Sequence, residues 1–423
     1  MARKMYGDQV VPRFTLLKGD CLETLKTLDD NSIDSVLCDP PYHLQSIVDR
    51  YGDTDSAPPK FGTDGAFQRS SRGFMGKTWD GGDIAFRTDV WRECLRVLKP
   101  GGHLVAFGGT RTMHRITCAI EDAGFQVRDQ LHWIYFSGFP KNHNISKAID
   151  KAAGAERKVV GIASGGGFKS GRIACPNGDG GAPSITKPAT PEAEQWSNWG
   201  TALKPACEPA CLARKPLEKG LTIAENVLKW GTGGINIEES RFAYGDPCWV
   251  GPQEDPGTRA VGGWQDTLVG GKCQKDFNYQ QSHLGRWPAN IYQCPKPSRA
   301  EKEAGLDHLV KKTGFDLNGR KPENVGHLNA AAGTGRTSTA IANTHPTIKP
   351  TKLFEWIARL ITPPGGVILD PFLGSGTTAV SGLSLGFDVV GCELTEEYWP
   401  IIEGRVNHAL KQWYNANAQY KLF

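Results

Sequence analysis

The sequence has neither a long apolar run nor a regular set of cysteines. No stretch approaches the roughly 20 apolar residues of a membrane span, and residues 1–14 (MARKMYGDQVVPRF) lack the apolar segment of a signal peptide. We therefore expect a cytoplasmic protein. The 11 cysteines are scattered, with no Cys-x-x-Cys pair. Cys207 and Cys211 have no second pair at a zinc-site spacing, which favours reduced thiols and no metal.

A strong net charge is also absent. The chain carries only +4 over 423 residues, but residues 151–340 hold 24 Lys and Arg against 19 Asp and Glu. A mildly basic middle suits an anionic partner, although a solvated surface explains it equally well. With 39% hydrophobic and 22% charged residues, the composition is that of a globular protein. The length allows about two to three average domains.

Short apolar runs alternate with amphipathic stretches at both ends of the chain. Near the N-terminus we predict strands over 14–17, 33–38 and 103–107, helices over 21–28, 90–98 and 112–123, and a hairpin or pair of edge strands over 125–135. Near the C-terminus we predict helices over 350–360, 377–385 and 398–413, with strands over 366–369 and 388–392. Repeated βα units predict an α/β fold with a doubly wound, mostly parallel sheet.

The middle of the chain has a different composition. Residues 151–340 hold 28 of the 51 glycines, and the glycine-rich segments 165–167 and 178–181 are typical of loops. The same region holds six of the 12 tryptophans, which argues against a disordered linker. We predict an irregular, loop-rich domain over 151–340, inserted between two parts of one sheet, 1–150 and 341–423.

A glycine-rich turn follows one of the C-terminal strands. Residues 370–378 read DPFLGSGTT, and such a turn between a strand and a helix lets a ligand approach the backbone and offers free amide donors. No lysine follows the last glycine, so a phosphate-binding loop and ATP hydrolysis are disfavoured. Glu393 ends the next strand, where a carboxylate can accept hydrogen bonds from ribose hydroxyls.

The sequence Asp39-Pro40-Pro41-Tyr42 directly follows the apolar run 35–38. Prolines cannot continue a sheet ladder, so the strand must end there. The tetrapeptide is either a plain strand-to-loop turn or a rigid tip that presents a carboxylate, a carbonyl and an aromatic ring.

Together these motifs resemble the β-class amino-methyltransferases of DNA, which transfer a methyl group from S-adenosylmethionine to an exocyclic base nitrogen. DPPY (39–42) matches their catalytic motif and FLGSG (372–376) their cofactor motif. Further matches, in particular to phage-type members, are GFMGKTWD (73–80), TALKPACEPACLARKP (201–216) and HPTIKP (345–350). The resemblance implies a circularly permuted, Rossmann-like sheet with a hairpin strand, in which 151–340 is the target-recognition domain and the part near 200–216 returns to the core.

The resemblance also implies roles for the tip. An exocyclic amine is a poor nucleophile, and acceptors for both of its hydrogens activate it. Asp39 and the Pro40 carbonyl would be those acceptors, and Pro40 and Pro41 would stiffen the tip. Tyr42 would stack on a base flipped out of the duplex. The sulfonium is already a good leaving group, so no metal is expected.

The implied cofactor is S-adenosylmethionine. Its predicted site comprises Asp20, Thr347, Lys349, Asp370, Phe372, Gly374, Ser375, Gly376, Thr377 and Glu393. Asp20 would bond the adenine, although a helix cap is the alternative. Thr347 and Lys349 would lie near the methionine carboxylate, and Asp370 below the amino group.

Cations next to aromatic residues suggest a DNA contact in segment 49–82, which holds Arg69, Arg72 and Lys77. A surface loop with a hydrophobic anchor explains the segment equally well. Lys141 lies where the family lines its base pocket, but residues 139–142 (FPKN) depart from the commoner family pattern there.

The sequence therefore predicts a site-specific adenine-N6 methyltransferase acting on double-stranded DNA. Aspartate at the head of the motif favours adenine, and cytosine-N4 methylation is the alternative. Methylation of RNA or of a protein glutamine fits the large insertion less well. A DNA-binding regulator that has lost activity would require damaged motifs, and both are intact. The resemblance also implies a homodimer, and the sequence holds no evident nuclease constellation.

Overall fold

The computed structural model describes residues 5–6, 9–42, 83–138, 142–162, 184–243, 246, 248, 285–312 and 340–419. Its strands are β1 (Met5–Tyr6), β2 (Gln9–Val10), β3 (Phe14–Lys18), β4 (Ile33–Cys38), β5 (Leu98–Phe107), β6 (Gln126–Ile134), β7 (Val159–Ile162), β8 (Ser184–Thr186), β9 (Cys207–Arg214), β10 (Ile291–Gln293), β11 (Val367–Asp370) and β12 (Asp388–Glu393). Its α-helices are α1 (Cys21–Leu25), α2 (Thr88–Val97), α3 (Met113–Asp122), α4 (Ile145–Ala152), α5 (Pro191–Gln195), α6 (Ile223–Trp230), α7 (Arg299–Glu303), α8 (Thr351–Ile361), α9 (Thr377–Ser384) and α10 (Trp399–Gln419). Three short 3-10 helices cover Ile84–Phe86, Glu238–Ser240 and Glu396–Tyr398.

Strands from both flanks of the chain form one eight-stranded sheet in the order β10-β6-β9-β5-β4-β11-β12-β3. All neighbouring pairs are parallel except the two that β9 makes with β5 and β6. The predicted α/β fold with a mostly parallel sheet is confirmed.

Both faces of this sheet are covered by helices. In β4 the side chain of Leu37 packs into one apolar cluster, whereas those of Val36 and Cys38 pack into the other. This alternation follows from the pleat of a strand. The first cluster includes residues of α8, α9 and α10, and the second includes residues of α1, α2 and α3. Because both faces are buried, β4 is buried at every position.

The hairpin predicted for 125–135 is wrong. This segment is the single strand β6, and its antiparallel partner is β9, more than 70 positions further along the chain. The register of its pairing with β9 shifts between Val127 and Asp129, which is typical of a β-bulge. A bulge bends a strand without reversing it, so the antiparallel strand had to come from elsewhere.

The middle of the chain contributes to the main sheet. β9 lies between β5 and β6, as the sequence analysis left open for 200–216, and β10 forms an edge. A small antiparallel pair, β7 and β8, lies outside the main sheet. The domain boundaries, the role of 151–340 in target recognition and the circular permutation stay predictions, and the glycine-rich segments 165–167 and 178–181 lie outside the described residues.

Polar residues lie together at the edge of the sheet where its parallel strands end. The parallel strands β3, β4, β11 and β12 run in the same direction, so their carboxyl ends meet there. The antiparallel strand β9 contributes its amino end to the same edge. In an open α/β sheet, ligands bind in the crevice outside the carboxyl ends of the strands.

We predict that Leu104→Ala strongly destabilises this sheet. Leu104 is fully buried in the central strand β5, and emptying such a position costs about 2–5 kcal/mol of the free energy of unfolding. The matched control is Leu228→Ala, because Leu228 is 88% exposed and the same change there stays within about 0.5 kcal/mol. Chemical denaturation measures both, and equal losses would contradict the described core.

Candidate active site

A cavity of about 670 Å³ opens at this edge of the sheet. It brings together sequence motifs that are more than 300 positions apart. Of the predicted catalytic and cofactor residues, it is lined by Asp20, Asp39, Pro40, Pro41, Tyr42, Thr347, Lys349, Asp370, Phe372, Gly374, Ser375, Thr377 and Glu393. Gly376 does not line it but precedes helix α9, with a left-handed φ of 82° that suits glycine.

Asp39 directly follows β4, and two donors occupy its carboxylate. The Tyr42 hydroxyl donates to Oδ1 over 2.8 Å, and the Lys349 ammonium donates to Oδ2 over 2.5 Å. Lys349 Nζ also lies 5.2 Å from the centre of the Tyr42 ring. The side chain of Lys349 is only 5% exposed, so its charge depends on these partners.

Glu208 is a second carboxylate beside the same ammonium. Its Oε2 lies 3.2 Å from Lys349 Nζ and accepts a 3.2 Å hydrogen bond from the Tyr42 hydroxyl. It is the second residue of β9, and its backbone pairs with Trp133 of β6. The antiparallel course of β9 therefore brings Glu208 to the edge where Asp39 emerges.

The charges of this cluster depend on one another. Burial raises the pKa of Asp39, and the negative charge of Glu208 adds to that rise, against the opposing effect of Lys349. Burial lowers the pKa of Lys349, but the two carboxylates outweigh it and raise the pKa overall. Burial raises the pKa of Glu208, but Lys349 and Lys296 outweigh it and lower the pKa overall. The ammonium is therefore kept charged at neutral pH.

Asp370 lies at the end of β11, at the start of the glycine-rich turn. Its Oδ1 accepts a hydrogen bond from the Phe372 amide over 2.9 Å, and its Oδ2 accepts one from the Thr378 hydroxyl over 2.5 Å. Burial raises the pKa of Asp370 to about 7. A carboxylate that titrates near neutrality inside a cavity marks a candidate functional group.

Glu393 and Asp20 also bind backbone amides. Glu393 accepts hydrogen bonds from the Gly374 amide over 2.8 Å and the Thr395 amide over 2.7 Å, and burial raises its pKa. Asp20 accepts one from the Leu22 amide over 2.8 Å and caps helix α1. The cap that was the alternative for Asp20 is thus present, and Asp20 faces the cavity as well.

A buried arginine holds the glycine-rich turn through hydrogen bonds. Arg405 of α10 is 2% exposed and donates to the Ser375 carbonyl over 2.6 Å and to its hydroxyl over 3.0 Å. Burial lowers the pKa of Arg405 to about 10. Its guanidinium therefore fixes the turn through hydrogen bonds rather than through an ion pair.

Several sequence predictions keep the status of predictions. Arg69, Arg72, Lys77 and Lys141 lie outside the described residues. The roles of Lys349 and Thr347 beside a methionine carboxylate are untested. Lys349 Nζ contacts Asp39 and Glu208, and the Thr347 amide donates to His345 over 3.3 Å. Within the described ranges, no group of three or more metal-ligating side chains lies together, and no helix is long and apolar enough to cross a bilayer.

The sequence analysis missed Glu208 and Arg405. Glu208 is the only carboxylate in the stretch 201–216, which was recognised as typical of the family without a role for any residue. Arg405 lies on α10 with no motif around it, so no sequence signal marks it. The wall beside Glu208 was also missed, and it includes Trp133 and Lys296.

We predict that Gly374→Ala destabilises the protein more than Gly154→Ala does. Both glycines have left-handed φ values, 57° and 66°, where an alanine costs about 1–2 kcal/mol. A Cβ on Gly154 meets nothing within 4 Å, but one on Gly374 would lie 2.8 Å from His345 Nε2. The His345 ring is held against Tyr398, with 4.8 Å between ring centroids. Denaturant unfolding tests this order, and equal losses would show that His345 moves freely aside.

Comparison with known proteins gives distant relatives. M.HindIII, a type II methyltransferase of Haemophilus influenzae, is 22% identical over 408 residues, which cover 92% of this chain and 94% of the relative. Among solved structures, a complex of M1.HpyAVI with S-adenosylmethionine is 15% identical with a TM-score of 0.40, covering 93% of this chain and 99% of the other. The cytosine-N4-specific PvuII DNA methyltransferase is 14% identical with a TM-score of 0.42, covering 96% and 95%.

A family model matches both flanks of the chain. The model of the N6/N4 methyltransferases, described as DNA methylase, matches residues 33–163 and 252–404. The two matched parts include the Asp39 tip, Lys349, the glycine-rich turn and Glu393, and together they span more than half of the chain. The resemblance to DNA amino-methyltransferases is thereby confirmed, and the chain belongs to the N6/N4 DNA methylase family.

Proposed function

We propose that this DNA methylase transfers a methyl group from S-adenosylmethionine to the N6 amine of adenine at a specific site in duplex DNA. The observation that carries the proposal is the single cavity shared by the Asp39-Pro40-Pro41-Tyr42 tip and the glycine-rich turn with Glu393. A methyl donor on one side and an amine acceptor on the other would then meet within one enclosure, as in-line transfer requires.

The donor side of the cavity fits S-adenosylmethionine. The volume of about 670 Å³ lies within the range of about 300–1,000 Å³ usual for cofactor pockets. The Glu393 carboxylate is placed for ribose hydroxyls, and the buried carboxyl of Asp370 suits the amino group of the methionine part. Gly374 lines the cavity, and a Cβ there would meet His345, so the turn needs a glycine at this position. When bound, this cofactor supplies an electrophilic methyl group on a sulfonium.

The acceptor side fits an exocyclic amine. Asp39 and the Pro40 carbonyl accept the two amine hydrogens, which directs the nitrogen lone pair out of the ring and towards the methyl group. Proline at both 40 and 41 limits movement of these acceptors. Tyr42 offers a ring on which the extruded base can stack, which partly offsets the stacking lost when the base leaves the duplex.

Adenine is proposed over cytosine because an aspartate heads the motif. The N6 and N4 amines need the same acceptors, so cytosine-N4 methylation is the alternative outcome of the test below. The proposal includes a cytoplasmic location, because the enzyme works where genomic DNA is. It also includes target recognition by the region 151–340 and DNA contacts from Arg69, Arg72, Lys77 and Lys141.

The test is to incubate the purified protein with tritiated S-adenosylmethionine and duplex DNA of mixed sequence. Nucleosides from the labelled DNA are then separated by mass spectrometry. We expect N6-methyladenine. N4-methylcytosine would establish the alternative base, and unlabelled DNA with retained DNA binding would establish a regulator without activity.

We predict that Asp39→Ala abolishes methyl transfer and leaves cofactor binding measurable. The change removes one acceptor of the target amine, whereas Asp370 and Glu393 of the donor side keep their contacts. The matched control is Asp122→Ala, at the exposed end of α3, which should transfer at the wild-type rate. Filter-bound tritium measures transfer, and calorimetry measures binding. Wild-type transfer by Asp39→Ala would remove Asp39 from the mechanism.

We also predict that cofactor affinity falls as the pH is lowered from 7 to 5. Asp370 has a pKa of about 7 in the free protein, and its ionised form is the one that holds an ammonium group. Below pH 7 binding must therefore release a proton, so affinity drops by up to about tenfold per pH unit. Asp370→Asn should bind more weakly with a flatter profile. An unchanged slope in this variant would assign the titration to another group.

A further inference from the structure

The structure poses a problem for the proposed reaction. Asp39 must accept a hydrogen bond from the target amine, but both of its carboxylate oxygens already have donors. The Tyr42 hydroxyl occupies Oδ1 and the Lys349 ammonium occupies Oδ2. Each oxygen has a second lone pair, but donors that stay on Asp39 weaken its pull on the amine hydrogen, so a second acceptor for them would make Asp39 the stronger acceptor.

Glu208 is within reach of both. Its Oε2 lies 3.2 Å from the Tyr42 hydroxyl and 3.2 Å from Lys349 Nζ, while those two donors are 3.0 Å from each other. A buried ammonium cannot be left unpaired without a large loss of free energy. Among the described residues, Glu208 and Asp39 are the two carboxylates that form ion pairs with Lys349.

We propose that Glu208 is a positioning residue for methyl transfer, which takes over the Lys349 ammonium and the Tyr42 hydroxyl when the target amine binds to Asp39. The inference rests on the proposed function. Glu208 does not touch the base or the methyl group in this role. Its carboxylate pairs with the Lys349 ammonium while Asp39 bonds the target amine. No buried charge is then left unpaired.

The residues around Glu208 hold its carboxylate in place as a hydrogen-bond acceptor. Its backbone is paired on the β6 side with Trp133, and the Tyr135 hydroxyl helps to lower the pKa of Glu208. Lys296 adds a further positive charge beside it and lies 4.3 Å over the Tyr135 ring. These contacts hold Glu208 in place and keep it ionised, so movement falls to the long Lys349 side chain and to Tyr42.

Several titratable groups among the described residues surround the carboxyl groups of Asp39 and Glu208. Asp39 faces Lys349, Glu208, Tyr42 and Asp370. Glu208 faces Lys349, Lys296, Tyr135, Tyr42, Cys207 and Asp39. The negative charge of Glu208 opposes the ionisation of Asp39. Removing that charge lets Asp39 ionise at a lower pH.

The experiment compares the full-length wild type with Glu208→Gln and Glu208→Asp. Glutamine is close to isosteric but has no charge to balance the ammonium, so Lys349 stays on Asp39. Single-turnover methylation should slow on the order of 10- to 100-fold, the effect of one charge-assisted hydrogen bond, with KM for DNA and cofactor affinity within a few-fold of wild type. Glu208→Asp keeps the charge and should restore part of the rate. Glu121→Gln, at the exposed end of α3, is the matched control.

The pH profile separates positioning from a merely structural effect. Transfer requires ionised Asp39, so the rate falls as the pH drops through the pKa of Asp39. In Glu208→Gln this acidic limb should move to lower pH, whereas Glu208→Asp should keep it near the wild-type position. A structural loss alone would lower the plateau and leave the limb in place.

Each outcome tests either the proposed function or the role of Glu208. Wild-type rate and limb in Glu208→Gln would overturn the inference, as would a lower plateau with an unmoved limb. If the wild type itself methylates no DNA, the proposed function fails first and the variants are not needed to show it. If Glu208→Gln does not fold, as judged by circular dichroism, Lys349→Met decides with the same assays. Adding Glu208→Asp to Lys349→Met should then change the rate little, and a full additive loss would overturn the inference.

Discussion

A buried lysine ammonium has to be paired with an opposite charge, and the positions of its neighbours in the active site follow from that requirement. Lys349 is 5% exposed, and its partners Asp39 and Glu208 come from β4 and β9. The three residues are far apart in sequence, so the ion cluster forms only once the sheet is assembled. Buried ion pairs contribute little net stability, but losing one partner is strongly unfavourable. The cluster therefore fixes the positions of these residues more than it stabilises the fold.

The direction of the strands explains why this ion cluster lies beside the glycine-rich turn. Parallel strands place Asp39, Asp370 and Glu393 at one edge because each residue ends or follows its strand. A parallel β9 would have carried Glu208 to the opposite edge. The reversed strand β9 is therefore what brings a second carboxylate to the Lys349 ammonium, and the bulge in β6 accompanies its pairing with β9.

Local pattern was enough to predict most of the sheet and both motifs. The strand 33–38 and the helices near 90–98 and 350–360 were found because apolar periodicity is a local property, and their ends differ from the structure by at most two residues. The Asp39 tip and the glycine-rich turn were found because each motif is contiguous. Glu208 and Arg405 act only through contacts made over long separations, such as Arg405 to Ser375. The hairpin failed for the same reason, since strand pairing is a tertiary property.

The charge of the cavity gives one more constraint on what enters it. Its lining carries six carboxyl groups, those of Asp20, Asp39, Asp83, Glu208, Asp370 and Glu393, against four cations, Arg87, Lys296, Lys302 and Lys349. A site with more carboxyl groups than cations favours a ligand with positive charge at its centre, such as a sulfonium, over a polyphosphate. This agrees with the absence of a lysine after Gly376. The same excess of carboxyl groups disfavours phosphates inside the cavity, so the proposed substrate would enter as an uncharged base. In the proposed reaction, base flipping suits this distribution of charge, because it leaves the phosphates outside the cavity.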